Sequence, residues 1–171
     1  DPDLDSYYLM EGVLLKLPDA ADLLLQARLL TQKTGGGQSA DLIRLAGLIE
    51  SNLGRTTYGA DTAFKNEKSG HLKLRLADPV QAYGAAVKDA VAALRGLNGG
   101  GVSAAAIDNA DQLLARAQAA NYSLTERESA ELQTLLEARI RGFEQRVWIV
   151  AAFVTAVIAV VLYLLLAFYA G

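Results

Sequence analysis

An uncharged segment near the C-terminal end, residues 147–170, constrains the fold of this sequence more than any other feature. At a helical rise of about 1.5 Å per residue, such a segment extends roughly 36 Å, which is enough to cross the hydrocarbon core of a bilayer with some tilt. Trp148 and Tyr169 lie near its ends, where aromatic belts occur, and Arg146 marks an abrupt polar boundary. A fully buried core helix is the alternative, but a domain of this size has too little protein to surround it. The sequence therefore predicts a transmembrane helix at 147–170 and one domain at 1–146.

Composition excludes several kinds of chemistry. The chain has no cysteine, which removes disulfides, thiolate catalysis and cysteine-based metal sites. His71 is the only histidine, so neither a histidine-based triad nor a multi-histidine metal site can form. The net charge of −3 argues against nucleic acid as a partner. We therefore predict no catalytic residues, no metal, no cofactor and no enzymatic activity.

Three breaks divide the rest of the chain into helical lengths. The glycine clusters at 35–37 and 98–101 are the strongest, and residues 66–70 form a weaker one. Val and Ile are concentrated in the apolar segment, whereas the remainder is rich in residues that favour helix. The predicted helices cover residues 4–32, 39–65, 72–97 and a last length that begins near 103 and continues unbroken into the membrane.

Apolar residues recur at steps of three and four in these lengths, as Leu42, Leu45, Ile49 and Leu53 do in the second. Pro18 is expected to kink or restart the first helix, because proline lacks a backbone donor. Helices of similar length joined by short loops pack as antiparallel neighbours. The predicted fold is all-α, an up-down-up-down four-helix bundle whose last helix continues into the transmembrane helix.

Both ends of the sequence resemble a known family. The opening segment DPDLDSYYLM, residues 1–10, followed by Leu17-Pro18, is similar to the start of the periplasmic four-helix-bundle sensor of bacterial methyl-accepting chemotaxis proteins. Similar sensors precede histidine kinases and diguanylate cyclases. The segments ARI at 138–140 and LLLAFY at 164–169 resemble the exit from that sensor. The resemblance implies a first transmembrane helix before Asp1 and a cytoplasmic signalling region after the last residue, so we expect this chain to be a fragment.

The same resemblance implies a homodimer formed through the helices that adjoin the membrane, with a small ligand bound between helices. It also implies location in the bacterial inner membrane, with the helical domain in the periplasm. Arg139, Arg141 and Arg146 lie on that side of the span, contrary to the positive-inside rule, but the opposite flank is not in the sequence. We follow the resemblance in expecting a periplasmic domain. For Tyr7 and Tyr8, beside the membrane in that arrangement, we expect interfacial packing in preference to ligand contact.

One polar group on the second helix is a candidate ligand site. Arg44, Asn52 and Arg55 have spacings of eight and three, which place them on a common face beside the apolar stripe. Two guanidinium groups and an amide could bind a carboxylate through charge-assisted hydrogen bonds. An organic acid or amino acid is the expected ligand. The tyrosines expected to close the pocket are Tyr58, Tyr83 and Tyr122.

The alternative interpretation of Arg44 and Arg55 is that both form surface ion pairs, with residues such as Glu50 and Asp61. Function is likewise open between two classes of protein. We expect the extracytoplasmic sensor of a transmembrane signal transducer, most readily a chemoreceptor, in which ligand binding displaces the last helix. A tail-anchored helical adaptor or structural protein that binds another protein, with Gly171 as its true end, is the alternative.

Overall fold

The computed structural model describes residues 4–34, 39–67, 69–97 and 102–170, and all regular secondary structure in these residues is helical. The prediction of an all-α protein is confirmed. Six segments follow one another within the described residues: helix α1 (Leu4–Glu11), a π-helical turn (Gly12–Lys16), α2 (Leu17–Thr34), α3 (Ser39–Asn66), α4 (His71–Gly96) and α5 (Ala104–Ala170).

Two compact units divide the chain, Asp1–Leu132 and Gln133–Gly171. The first unit contains α1 to α4 and the part of α5 that precedes residue 133. The second contains the remainder of α5.

The core of the first unit is built from the predicted apolar stripes. Leu42, Leu45, Ile49 and Leu53 of α3 are all buried, as their spacing predicts. Helix α4 and the part of α5 before residue 133 also contribute to the core. Their buried side chains include Val80, Tyr83, Val87, Val91, Leu94, Leu114, Ala117 and Leu124.

The first predicted helix contains an irregularity just before Pro18. The N–H of Leu17 bonds to the carbonyl of Gly12, five residues earlier, which closes a π turn. Pro18 has no N–H and cannot join the ordinary ladder of hydrogen bonds, so the added residue is accommodated one turn before the proline. Pro79, in contrast, lies inside α4 without ending it.

The predicted break at 66–70 is confirmed. Helix α3 ends at Asn66 and α4 begins at His71, with Gly70 in the left-handed region at φ 73°. The Glu67 carboxylate accepts hydrogen bonds from the backbone N–H groups of Ser69 and Leu72, which satisfies donors at the start of α4. The breaks predicted at the two glycine clusters, 35–37 and 98–101, lie outside the described residues.

The second unit is the C-terminal part of α5. Within α5, an 18-residue window reaches a mean hydropathy of 3.0, and none of that window is buried. Among the described residues, α5 is the one helix long and apolar enough to cross a membrane. The predicted transmembrane segment at 147–170 coincides with this apolar part.

Candidate ligand-binding groove

We refer to α1, the π turn and α2 together as the first helix. A groove of about 500 Å³ lies between the first helix and α3 in the first unit. One wall comes from α1 and the π turn, and the other comes from the middle of α3. Both walls consist mainly of aromatic rings and charged groups, with little aliphatic surface between them. The lining residues are Tyr7, Tyr8, Glu11, Lys16, Ser51, Gly54, Arg55 and Tyr58.

Three tyrosine rings form the aromatic side of the groove. The Tyr7 and Tyr8 ring centroids are 5.3 Å apart at an interplanar angle of 83°, and those of Tyr8 and Tyr58 are 6.3 Å apart at 82°. Both pairs are edge-to-face, the arrangement that aromatic quadrupoles favour. Tyr7 and Tyr58 are more than half exposed. Their rings therefore offer apolar surface to a ligand from solvent.

The Tyr8 hydroxyl remains protonated at neutral pH. Partial desolvation raises the pKa of Tyr8, and the neighbouring Tyr58 and Glu11 raise it further. A neutral phenol can both donate and accept a hydrogen bond. The Tyr8 hydroxyl can therefore donate a hydrogen bond to the carboxylate of a zwitterionic ligand or accept one from its ammonium group.

Lys16 and Glu11 form the ionic edge of the groove. Lys16 Nζ lies 2.8 Å from Glu11 Oε2, and the lysine side chain is only 8% exposed. The same ammonium lies 5.7 Å from the centroid of the Tyr8 ring. Gly59 of α3 allows this packing, because a Cβ at that position would approach Nζ to 2.9 Å. The lysine is thus enclosed between a carboxylate, a ring and the α3 backbone.

Arg55 supplies the exposed positive charge. Its Nη2 donates to Asp19 Oδ2 at 3.4 Å, and both side chains are about 60% exposed. A single long contact between exposed charges contributes little. A ligand carboxylate could therefore displace Asp19 and bind the guanidinium group through two parallel hydrogen bonds.

The structure brings together two of the six predicted site residues, Arg55 and Tyr58. Arg44 lies 11 positions before Arg55, about 16 Å along the helix axis, and is paired with Asp41 at 3.8 Å. Asn52 is buried and donates to the Lys16 carbonyl at 3.1 Å, so its amide faces the first helix.

The two other predicted tyrosines lie elsewhere in the first unit. Tyr83 is 1% exposed and is part of the core. Tyr122 is exposed on α5, outside the residues that line the groove. Burial raises the pKa of Tyr83, while a hydrogen bond with Asn121 acts in the opposite direction.

The surface ion pairs expected for Arg44 and Arg55 are present, but with other partners. Arg44 pairs with Asp41 and Arg55 with Asp19. Glu50, one of the expected partners, instead pairs with Arg95 of α4.

Six lining residues were not among the predicted ligand contacts: Tyr7, Tyr8, Glu11, Lys16, Ser51 and Gly54. Tyr7 and Tyr8, for which interfacial packing is predicted, both line the groove. In the part of the chain that the structure describes, no group of three or more His, Cys, Asp or Glu side chains could hold a metal ion.

The chain matches no protein-family model, and neither a curated protein nor a solved structure is significantly similar to it.

Proposed function

We propose that this chain is the extracytoplasmic sensor region of a bacterial transmembrane signal transducer, in which a small ligand binds in the groove between the first helix and α3. The groove carries the proposal, because it combines an exposed guanidinium group, an enclosed ion pair and three tyrosine rings. Convergent polar groups beside apolar surface are typical of small-molecule sites. The resemblance of both chain ends to chemoreceptor sensors supports the same function.

An amino acid or organic acid fits these groups. Arg55 would bind the carboxylate, and the rings of Tyr58 and Tyr7 would contact an apolar side chain. Glu11 lies on the opposite wall from Arg55, where a ligand ammonium group would meet a carboxylate. This pairing favours an amino acid over a simple dicarboxylate.

The proposed architecture is an up-down-up-down four-helix bundle. Two contacts in each of three helix pairs support this arrangement, because along one helix the residue numbers rise while along its neighbour they fall, as in antiparallel packing. The contacts are Tyr8–Tyr58 and Asp19–Arg55 between the first helix and α3, Glu50–Arg95 and Leu53–Gly84 between α3 and α4, and Leu17–Asn121 and Arg28–Asp111 between the first helix and α5.

The proposed partner of the bundle is a second copy of the same chain. Large apolar side chains lie exposed along the first helix, and contiguous apolar surface of this kind marks interaction sites. A dimer through this helix agrees with the arrangement that the family resemblance implies. These side chains are Tyr7, Met10, Leu14, Leu15, Leu25 and Leu29.

In the proposed mechanism, a ligand that contacts both α1 and α3 changes how these helices pack, and α5 shifts as a rigid element in response. Packed helices move as units because interiors are close-packed and deform little. The proposed location is the bacterial inner membrane, with α5 as the span and the helical unit in the periplasm.

Calorimetry on the full chain in detergent micelles tests the ligand site, with a panel of amino acids and organic acids as probes. We expect one saturable ligand whose binding is weakened at least tenfold by Arg55→Ala and by Tyr58→Ala. Arg44→Ala and Tyr122→Ala are matched controls, since both residues are exposed outside the groove, and they should bind normally. If no probe binds, or if the controls lose affinity equally, the groove is not the sensor site and the adaptor alternative gains support.

A further inference from the structure

Glu128 of α5 is a buried acid with an unsatisfied carboxylate oxygen. The residue is 2% exposed, and its Oε2 atom accepts no hydrogen bond from the residues that the structure describes. Most buried polar side-chain atoms in proteins have at least one partner, so an exception requires an explanation. None of the groove contacts described above involves this carboxyl group.

The carboxyl group of Glu128 packs against the π turn. A Cβ placed on Gly12 would lie 2.6 Å from Glu128 Oε2, closer than real Cβ atoms come. The backbone at Gly12 does not have a positive φ, so the glycine contributes the close approach of the carboxyl group and not conformational freedom. Single π turns are frequent at functional sites.

Two ionisable groups, Lys16 and Tyr83, interact electrostatically with Glu128, and a third, Glu11, pairs with Lys16. Lys16 is on the same π turn and lowers the pKa of Glu128 by its positive charge, while Glu128 in turn raises the pKa of Tyr83 on α4. Glu11 neutralises Lys16 from the groove side, at 2.8 Å. From α3, the neutral amide of Asn52 donates a hydrogen bond to the Lys16 carbonyl in this turn.

The next acid along α5 has partners of its own. Glu131 accepts a hydrogen bond from Arg75 at 2.8 Å and lies 3.9 Å from His71 Nδ1. Its charge is therefore balanced on α4, whereas the charge that acts on Glu128 is that of Lys16.

Burial raises the pKa of Glu128 to about 7, against the opposing effect of Lys16. The carboxyl group consequently takes up and releases a proton around neutral pH. An ionised Glu128 would make two carboxylates, Glu11 and Glu128, compete for the single ammonium of Lys16.

We propose that Glu128 is a proton-binding site whose occupancy selects the partner of Lys16. With the proton bound, Lys16 pairs with Glu11 at the edge of the groove, as in the structure. With the proton released, the ammonium turns towards Glu128, and Glu11 and Tyr8 lose their cation. The pH thus controls which carboxylate pairs with Lys16 at the edge of the groove. This inference holds whether or not a small ligand binds there.

Carbon-13 NMR of glutamate side chains in the full chain, held in detergent micelles, tests the proton site. We expect one carboxyl resonance to titrate with a midpoint near 7, about 300-fold in proton affinity above an ordinary glutamate. Glu128→Gln should remove that resonance. Glu126→Gln, an exposed neighbour on α5, should leave it unchanged. A Glu128 midpoint at the ordinary value would overturn the proposal.

The Tyr8 ring reports the exchange of Lys16. In the wild-type chain and in Glu126→Gln, the Tyr8 resonances should change with pH at the same midpoint as the Glu128 carboxyl resonance. In Glu128→Gln, this pH-dependent change of the Tyr8 resonances should be absent. Lys16→Met should raise the Glu128 midpoint further, because a compensating positive charge is lost. Tyr8 resonances indifferent to the Glu128 titration, or a midpoint that Lys16→Met lowers, would exclude the coupling even if Glu128 binds a proton.

Discussion

Asn52 on α3 and Asn121 on α5 donate hydrogen bonds to carbonyl groups of the same helical turn from two different helices. Asn52 bonds to the carbonyl of Lys16 and Asn121 to that of Leu17, both at 3.1 Å. Each asparagine is 1% exposed. The turn that adjoins Pro18 is therefore fixed by two buried amides, which also position Lys16 at the groove.

Asn121→Ala should lower the free energy of unfolding by about 1–3 kcal/mol, because the Leu17 carbonyl loses its buried donor and a small cavity remains. Urea unfolding of the full chain in micelles, followed by circular dichroism, measures the change. Asn109→Ala is the matched control on the same helix, and its exposed amide should change stability by less than about 0.5 kcal/mol. Equal losses in the two variants would contradict the role given to Asn121.

Arg28 and Asp111 form a doubly hydrogen-bonded ion pair between α2 and α5. Arg28 Nε and Nη2 donate to the two oxygens of Asp111 at 3.0 and 3.2 Å, and each side chain is less than one-third exposed. The hydrogen bond from Arg28 lowers the pKa of Asp111 below its ordinary value. The pair therefore contributes stability above the unfolded-state pKa, and this contribution is lost as pH falls through the lower folded-state value.

Arg28→Met should lower the free energy of unfolding by about 1–2 kcal/mol at pH 7, because the doubly hydrogen-bonded ion pair is broken while the packing of the side chain is kept. The cost should shrink as Asp111 becomes protonated under acid conditions. Unfolding measured at pH 7 and at pH 3 in wild type and variant tests both parts. A cost that is independent of pH would show that the arginine stabilises through packing alone.

The pKa of Glu128, raised to about 7, has the opposite consequence for stability. Between the unfolded value of 4.5 and the folded value of about 7, the folded chain binds more protons than the unfolded chain. Stability from this group is fully present below pH 4.5 and is lost as pH rises through 7. The loss should reach about 3 kcal/mol, at 1.36 kcal/mol per pKa unit.

Glu128→Gln should abolish this decline, so that the variant is more stable than wild type at pH 8 and similar to it at pH 5. Urea unfolding at the two pH values provides the comparison. The exposed Glu126→Gln should follow the wild-type curve at both. A parallel decline in Glu128→Gln and wild type would place the titrating group elsewhere.

The sequence was sufficient for the helices and their buried faces because both depend on local periodicity. The groove depends on the π turn, which periodicity does not reveal. At about 100° per residue, Tyr8 and Lys16 are roughly 80° apart on a regular α-helix, but one extra residue in the turn brings them to nearly the same face. A helical projection that ignored this insertion could not place Lys16 beside Tyr8.

The spacing of Arg44, Asn52 and Arg55 places Asn52 beside the apolar stripe, where it is buried. A projection along the helix axis does not show which helix packs there. The first helix does, and the Lys16 carbonyl accepts the Asn52 amide. Arg55, one turn on, lies beyond that contact and reaches the groove.

The apolar part of α5 gives a further prediction, for membrane insertion. Val157→Arg, near the middle of the segment, should reduce integration, since a centrally placed arginine costs about 2.5–3.5 kcal/mol in a membrane helix. Alkaline carbonate extraction of membranes that contain the full chain measures the retained fraction. Val157→Leu is the control and should remain fully integrated. Equal retention of both variants would indicate that the segment is held by something other than insertion into lipid.

Cysteine labelling tests the proposed location of the helical unit. The chain has no cysteine, so a single introduced thiol gives an unambiguous signal. Ser123 is exposed on α5 in the first unit, and Ser123→Cys should react with a membrane-impermeant maleimide in intact bacterial cells whose outer membrane has been permeabilised. Leu166→Cys, within the apolar segment, should stay unlabelled until the membrane is dissolved, because maleimide addition requires a hydrated thiolate. Labelling of Ser123→Cys only after the inner membrane is broken would place the unit in the cytoplasm, on the side that Arg139, Arg141 and Arg146 favour by the positive-inside rule.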